Sequence, residues 1–295
     1  GDVLLGHTAD DNAESLVMNL ARSAGLDGLS GMRPDWHEQG IHWHRPLLAC
    51  SRDSLRAYLT KVQVTWIDDP SNDNPRFARI RLRQALGDPD GEGEGILALA
   101  EAAGAFARRR ARQEAALLAR LAAAAEIRPE GYAWVDPKVL GHDALGVAAL
   151  ARLIGLIGGA AWPVPIPATA TLMARGGGSL AGAWVRPGAG GRWLLVRDPG
   201  LIAPAQPWAP GLLWDGRFLM RGPARPGWSC AALGAAAADF RNHSAIPLTA
   251  LRAMPALWDE KGKLAVLPGL FYAESQEAAD WRMTFAPRGG GLPLG

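Results

Sequence analysis

The clearest pattern of apolar and polar positions lies at the start of the chain. Val3-Leu4-Leu5 is a short apolar run that reads as the end of a buried strand. Gly6 and His7 follow, and then a helical period takes over. At about 100° per residue, Ala13, Leu16, Val17, Leu20 and Ala24 gather on one face, and Asp11, Glu14, Ser15, Met18 and Arg22 on the opposite one. Asp10 is the expected N-cap, Glu14 falls in the first turn where an acid suits the helix dipole, and Gly25 is the expected stop. One side packs; the other presents two carboxylates, a hydroxyl and an arginine. In an open α/β sheet, ligands bind beyond the carboxyl ends of the strands. His7, Asp11 and Glu14 would sit at such an end. A merely capped helix behind a loop histidine would have the same pattern, so these residues leave both readings open.

Further along, Trp36 to Trp43 is polar and aromatic, with His37, His42 and His44 nearby. Their spacing does not match a zinc pattern, so they read as ordinary surface histidines. Ser51 is the expected cap of a helix to Lys61, with Leu55, Tyr58 and Leu59 on its apolar side. Val62 to Ile67 is β-rich, and the turn-forming run Asp68 to Asp73 ends it. Next comes a basic stretch, Arg76, Phe77, Arg79, Arg81 and Arg83. Alternate spacing would put the last three arginines on one side of an extended strand, whereas a helix would spread them over more than half its circumference. Such a row is a solvated face or a phosphate-binding one, since arginine suits planar, bidentate phosphate contacts.

Gly87 to Gly95 is acidic and Gly-rich, and Ile96 to Ala125 predicts a long helix carrying Arg108, Arg109, Arg110 and Arg112. That cluster fits equally a solvated surface and one lying beside RNA. Asp143 to Gly158 predicts a second helix, Pro163 to Pro167 a break, and Ala168 to Ala174 a short third helix. Gly176 to Ser179 reads as a turn. It lacks the Gly-Lys-Ser/Thr of a phosphate loop. Ala183 to Arg186 and Arg192 to Arg197 alternate as a hairpin across Pro187 to Gly191. Trp214 to Phe218 and Leu264 to Pro268 suggest further short strands, and Gly289 to Gly295 a frayed tail.

The 295 residues allow two or three domains, and 48% apolar content supports real cores. A net charge of +2 is too small to name a partner. Cys50 and Cys230 form no CxxC pair, which points to a reducing compartment and away from a zinc or thiol-relay site. The longest apolar stretch, Ala144 to Trp162, is interrupted by Arg152, so no transmembrane helix is expected. No signal peptide is visible, and a cytoplasmic location follows as the expectation.

The pattern H-x-x-D-D-x-x-E-[ST] followed by R-x-x-G-x-x-G-L-x-G-M is filled by His7, Asp10, Asp11, Glu14, Ser15, Arg22, Gly25, Gly28, Leu29, Gly31 and Met32. It resembles the tRNA(Ile)-lysidine synthetase family of N-type, PP-loop ATP pyrophosphatases. R-P-L-L at Arg45 to Leu48 and D-P-[ST]-N at Asp69 to Asn72 match as well. The pattern F-x-R-N-R-I-R is close to Phe77 to Arg83, where the three arginines match, Ile80 stands where Asn is usual and Leu82 where Ile is. The resemblance implies an α/β protein. A partial Rossmann-like parallel sheet of the adenine nucleotide alpha hydrolase kind would cover 1–87, a linker and long helix 88–128, and a small α+β module 129–295. It implies adenylation by ATP, with Mg2+, of C2 of the wobble cytidine in the CAU-anticodon isoleucine tRNA. The ε-amine of L-lysine then displaces AMP to give lysidine. His7, Asp11 and Glu14 become the catalytic candidates, with Asp11 also a candidate magnesium ligand. Arg22, Arg76, Arg79, Arg81 and Arg83 become candidates for tRNA or phosphate. A homodimer stays open, and no membrane partner is expected.

The family's S-G-G-x-D-S loop does not occur in these 295 residues. The chain starts at Gly1, within a strand pattern, and reads as an N-terminally truncated form. Two rival readings stand beside the ligase: another PP-loop tRNA modifier such as a thiolase, which commonly uses cysteine pairs, and a non-catalytic RNA-binding module. Because backbone NH groups of that loop would cradle the pyrophosphate, the polypeptide as given is expected to bind ATP poorly and turn over slowly or not at all. Calorimetric titration checks this; micromolar, magnesium-dependent binding would contradict it.

Overall fold

The structure, a computed structural model, describes residues 1–38, 41–67, 80–82, 94–242, 244–270, 272–273 and 280–287. The chain forms two compact units, Gly1–Ala115 and Ala116–Gly295.

In the first unit the apolar run becomes strand β1 (Asp2–Leu4), followed by helices α1 (Ala9–Ala21) and α2 (Leu26–Leu29). Strands β2 (Asp35–Glu38) and β3 (Ile41–His44) come next, then α3 (Arg52–Lys61) and the long helix α4 (Glu94–Ala124), which crosses into the second unit. β3 is central: β1 runs parallel to it with Val3 opposite Trp43, and β2 runs antiparallel with Trp36 opposite Trp43. The α/β class holds, and the β1–β3 pair carries the parallel character.

The start of α1 differs from the expected form. Thr8, not Asp10, is the N-cap. Its N–H and hydroxyl both donate to the Asp11 carboxylate, at 2.8 and 3.0 Å. Asp10 lies in the first turn and is buried, because it is drawn to the start of α3 instead. α1 ends at Ala21 with Arg22 as C-cap, and Gly25 N-caps α2. Ala13 and Leu16 pack as expected, but Leu20 is 49% exposed, and Glu14 on the polar face is as buried as Leu16.

The glycines after α1 have a packing cause. Asn19 donates to the Gly28 carbonyl at 2.8 Å, and Met32 N–H donates to Asn12 Oδ1 at 2.8 Å. Gly31 has φ +65°, and a Cβ there would stand 2.2 Å from Asn12 Oδ1. Two asparagines of α1 thus clamp the following backbone, and a side chain at Gly31 would break the clamp.

α3 forms with Ser51 capping it, its Oγ accepting from Ser54 N–H at 3.1 Å. Tyr58, expected on the apolar side, is exposed among the described residues. The β-rich run after it is not a strand: the chain leaves α3 through Gln63 at φ +57°, and 64–67 runs on without a partner strand among the described residues. Strand propensity without a partner ladder does not make a strand. Ile80, Arg81 and Leu82 are helical, so Arg81 is not on an extended strand; Arg79 and Arg83 lie outside the described residues. Ile80 is buried there, as an apolar residue on the inner side of a helical turn would be.

The second unit begins within α4. A five-stranded antiparallel sheet is ordered β4-β5-β8-β7-β6, with β4 at Ala125–Arg128, β5 at Tyr132–Val135, β6 at Gly178–Leu180, β7 at Ala183–Pro187 and β8 at Trp193–Arg197. The β7–β8 hairpin matches its expectation. Helices α5 (Pro137–Leu140), α6 (Ala144–Gly158) and α7 (Ile166–Arg175) lie between β5 and β6 in sequence. Asp143 caps α6, accepting from Gly146 N–H at 2.8 Å. Leu150, Leu153, Ile154 and Ile157 of α6 share one core with Val135, Val185 and Leu195 of the sheet.

Two further sheets complete the unit. One has five strands, with β9 (Gln206–Pro207), β12 (Ser229–Ala232), β13 (Pro255–Trp258), β14 (Leu264–Leu267) and β15 (Tyr272–Ala273). The other has three, β10 (Leu213–Trp214), β11 (Phe218–Arg221) and β16 (Arg282–Phe285). A short helix, α8 (Leu248–Arg252), precedes β13. Trp214 to Phe218, expected as a strand, is the turn joining β10 to β11. Asp215 (φ +53°) and Gly216 (φ +64°) both take left-handed conformations, the demand of a tight hairpin turn that an Asp-Gly pair meets.

That turn places a carboxylate between two arginines. Arg197 donates to Asp215 at 2.9 and 2.8 Å and also reaches the carbonyls of Gly158, Gly182 and Leu201. Arg217 donates to Asp215 Oδ2 at 2.9 Å and to the carbonyls of Gly131, Ile157 and Ala253. Burial brings the Arg217 guanidinium down to about 10, against the opposing pull of Asp215. Asp215→Ala would leave two buried guanidinium groups without their anion. We expect it to cost about 3–5 kcal/mol, read as a lowered denaturation midpoint in urea.

Candidate functional site

β1 and β3 are parallel neighbours, so their carboxyl ends open side by side, and each leads through a connection to a helix, α1 after β1 and α3 after β3. The two connections are tied together. Leu5 N–H donates to the His44 carbonyl at 2.8 Å and Ala9 N–H to the Cys50 carbonyl at 2.9 Å. Arg52 N–H, at the first position of α3, donates to Asp10 Oδ2 at 2.8 Å. Asp10 is thus an anion set against the amino end of a neighbouring helix, where the dipole favours it. Its other oxygen, Oδ1, is buried and accepts no hydrogen bond among the described residues.

Asp11, one residue on, is 14% exposed at its side chain and lies 3.6 Å from the Arg52 guanidinium. Glu14 follows one turn later and is 1% exposed. Both carboxylates are therefore enclosed rather than turned to bulk water. His7 sits just before the helix, half-buried, and its Nδ1 accepts from Arg45 Nε–H at 3.1 Å. Arg45 is itself held: it stacks 4.3 Å above the Trp36 ring and donates to the Arg33 carbonyl at 2.8 Å. Trp36 stacks in turn on Trp43 at 5.7 Å. Burial lowers the Arg45 guanidinium from its ordinary value. With Nδ1 acting as acceptor, the neutral His7 ring carries its proton on Nε2.

A PP-loop domain model matches residues 2–89. Over 270 residues the chain is 35% identical to the tRNA(Ile)-lysidine synthase of Ruegeria pomeroyi, covering 87% of this chain and 62% of that protein. It is 34% identical over 232 residues to the tRNA(Ile)-lysidine synthase of Mesorhizobium japonicum, covering 74% and 50%. Against that of Hyphomonas neptunium it is 48% identical over 90 residues, 28% of this chain and 24% of the relative. Residues 2–89 thus match a PP-loop domain, and most of the chain is similar to tRNA(Ile)-lysidine synthases. It spans less than two thirds of the length of each of these relatives.

His7 precedes α1, and Asp11 and Glu14 lie in its first turns, on the connection that follows β1. Arg22 does not join them. It is exposed at the far end of α1, eleven residues beyond Asp11, or roughly 16 Å at 1.5 Å per residue. Arg81 is exposed on its helical turn. Arg76, Arg79 and Arg83, together with the Asp69 to Asn72 motif, lie outside the described residues.

Sequence reasoning gave no role to three residues that organise the site. Arg45 was visible within R-P-L-L but was read only as part of a motif. Arg52 stands only at the start of the helix that Ser51 caps, and Asp10 only as a cap and a motif position. The available signal was the tandem acid: a helix needs one N-cap, and Thr8 was already placed to provide it.

If Arg45 fixes the His7 ring, Arg45→Ala should release it. We expect the long-range proton–nitrogen NMR spectrum of His7 to move from a single Nε2–H form to a tautomer mixture, while Arg45→Lys, which lacks the fixed Nε–H direction, gives an intermediate spectrum.

Proposed function

We propose that the complete protein ligates lysine to C2 of the wobble cytidine of the CAU-anticodon isoleucine tRNA, using ATP. The enclosure of Asp11 and Glu14 beside a fixed His7, at the shared carboxyl end of two parallel strands, carries this reading. The names and extents of the relatives support it.

The residues divide by what they already bind. Both oxygens of Asp11 face partners, one Thr8 and the other Arg52. Asp11 therefore holds the shape of the helix start as well as its charge. Glu14 is assigned the part of holding the lysine ammonium and taking up its proton, since amine attack needs a nearby base. His7 presents Nε2–H, a donor suited to a phosphate oxygen. Arg45 keeps that donor aimed and adds positive charge behind it. Carboxylate oxygens suit a hard cation, and the buried Asp10 Oδ1 has the unmet acceptor capacity for one. Magnesium held by Asp10 and Asp11 would neutralise charge on the departing pyrophosphate.

For the RNA, α4 offers a basic face. Arg108, Arg109 and Arg112 fall within about 100° of arc, all exposed, and make no ion pair among the described residues. Such a face fits the phosphate backbone, which is bound through charge and with strong salt dependence.

The test is incorporation of radiolabelled lysine into the cognate tRNA by the full-length enzyme, with mass analysis of the modified nucleoside. Glu14→Gln is expected to slow incorporation by about 100-fold or more with tRNA affinity kept. Wild-type-like turnover by that variant would sink the assignment of Glu14. A sulfur-containing product in place of lysidine would favour the thiolase reading, and tRNA binding without product would favour the RNA-binding module.

A further inference from the structure

The sheet of the first unit carries a second group of chemically capable side chains. Side chains alternate across a strand, so His42 and His44 of β3 share the sheet face opposite Trp43, away from the Trp36 ring on which Arg45 stacks. The parallel register sets Asp2 of β1 beside His42 on that face. Asp2 Oδ1 lies 3.6 Å from His42 Nδ1 and 3.3 Å from His44 Nε2. One ligand atom from each of the three residues falls within 4.8 Å of the others, and the two imidazole rings are 3.7 Å apart, centre to centre.

We propose that Asp2, His42 and His44 form a binding site for a borderline divalent transition metal ion, zinc in kind, which clips β1 to β3. The ligand set is two imidazoles and a carboxylate, a combination that suits zinc and its neighbours rather than magnesium or calcium. The spacing suits it too. Bonds of about 2.0–2.2 Å in a tetrahedral site place neighbouring ligand atoms roughly 3.3–3.6 Å apart, the range of both Asp2–His distances. The side chains of His42 and His44 are 30% and 31% exposed, and that of Asp2 is 70% exposed, so an ion can enter and the rings can turn to close the third edge. Three protein ligands leave the fourth position to water. Spacing along the sequence concealed the site, because the third ligand comes from the neighbouring parallel strand and not from the histidine run.

The proposal predicts a mechanical consequence. β1 is held to β3 by few hydrogen bonds, among them Leu5 N–H to the His44 carbonyl and His42 N–H to the Gly1 carbonyl. An ion bridging the two strands should protect both amides. Tag-free protein, stripped with chelator and desalted, is titrated with Zn2+ by calorimetry and with Co2+ by visible absorption, and hydrogen exchange is followed with and without Zn2+. We expect one equivalent to bind at micromolar concentration, with the intense Co2+ bands of a four-coordinate site and slower exchange at Leu5 and His42. His42→Ala and His44→Ala should each weaken binding by at least about tenfold. His142→Ala, an exposed histidine of the second unit, should leave it unchanged. Absence of Zn2+ and Co2+ binding by the unaltered protein at about 100 µM overturns the site, a result that does not depend on how any variant folds. Binding that survives loss of both His42 and His44 overturns the ligand assignment, and binding without slowed exchange overturns the clip.

Discussion

The parallel register of β1 and β3 is the constraint on which the first unit's chemistry rests. Parallel neighbours deliver their following loops to the same edge, which brings the first turn of α1 against the first turn of α3. One hydrogen bond, from Arg52 N–H to the Asp10 carboxylate, fixes that meeting. With Asp10 turned toward α3, Asp11 and Glu14 are set at their own fixed angles around the same helix. The tandem acid of the motif is thus divided between two tasks. One residue locks the scaffold, and the other shapes the helix start while facing Arg52.

The second unit uses a buried charge differently. Asp215 draws Arg197 and Arg217 inward, and those guanidinium groups then satisfy carbonyls from Gly131, Ile157, Gly158, Gly182, Leu201 and Ala253. These acceptors come from several segments well separated in the chain. The strength of such a cluster lies in its geometry more than in its charge, because desolvating three ions offsets much of their attraction. Its value is that a single turn conformation, Asp215-Gly216 with positive φ, dictates where many chain segments end.

Long periodic elements were legible in the sequence. The helix from 94 to 124, the Asp143-capped helix, and the 183–197 hairpin follow from periodicity and capping chemistry alone. The errors arose where a residue's partner lies far away in sequence. Asp10 was read as a cap because capping is local, whereas its actual partner is Arg52. Val62 to Ile67 was read as a strand because β-propensity is local, whereas a strand exists only with a neighbour. Trp214 to Phe218 was read as a strand because its flanking residues are, whereas Asp215-Gly216 was the turn signal in plain view. The burial of Glu14 and the near-burial of Asp11 could not be read from their places on the polar face of α1. Nor could the part played by Arg45, since nothing within its own segment indicates that it reaches back to His7.

The enclosure of the α1 carboxylates bears on why they are acids at all. A buried carboxylate is stabilising only when its oxygens are well partnered, and an apolar residue of similar volume would pack with less penalty. Among the described residues Asp10 keeps one buried oxygen with no hydrogen bond, while the other receives Arg52 N–H. Such a residue makes physical sense if a cation completes the site during function, lowering the cost of burial when it arrives. The arginines nearest by point the same way. Arg45 is committed to His7 and Trp36, and Arg52 directs its guanidinium at Asp11 and its backbone at Asp10. Neither supplies the missing contact to Asp10 Oδ1. The magnesium ion proposed above would supply that contact, and with it the charge that offsets the burial of Asp10.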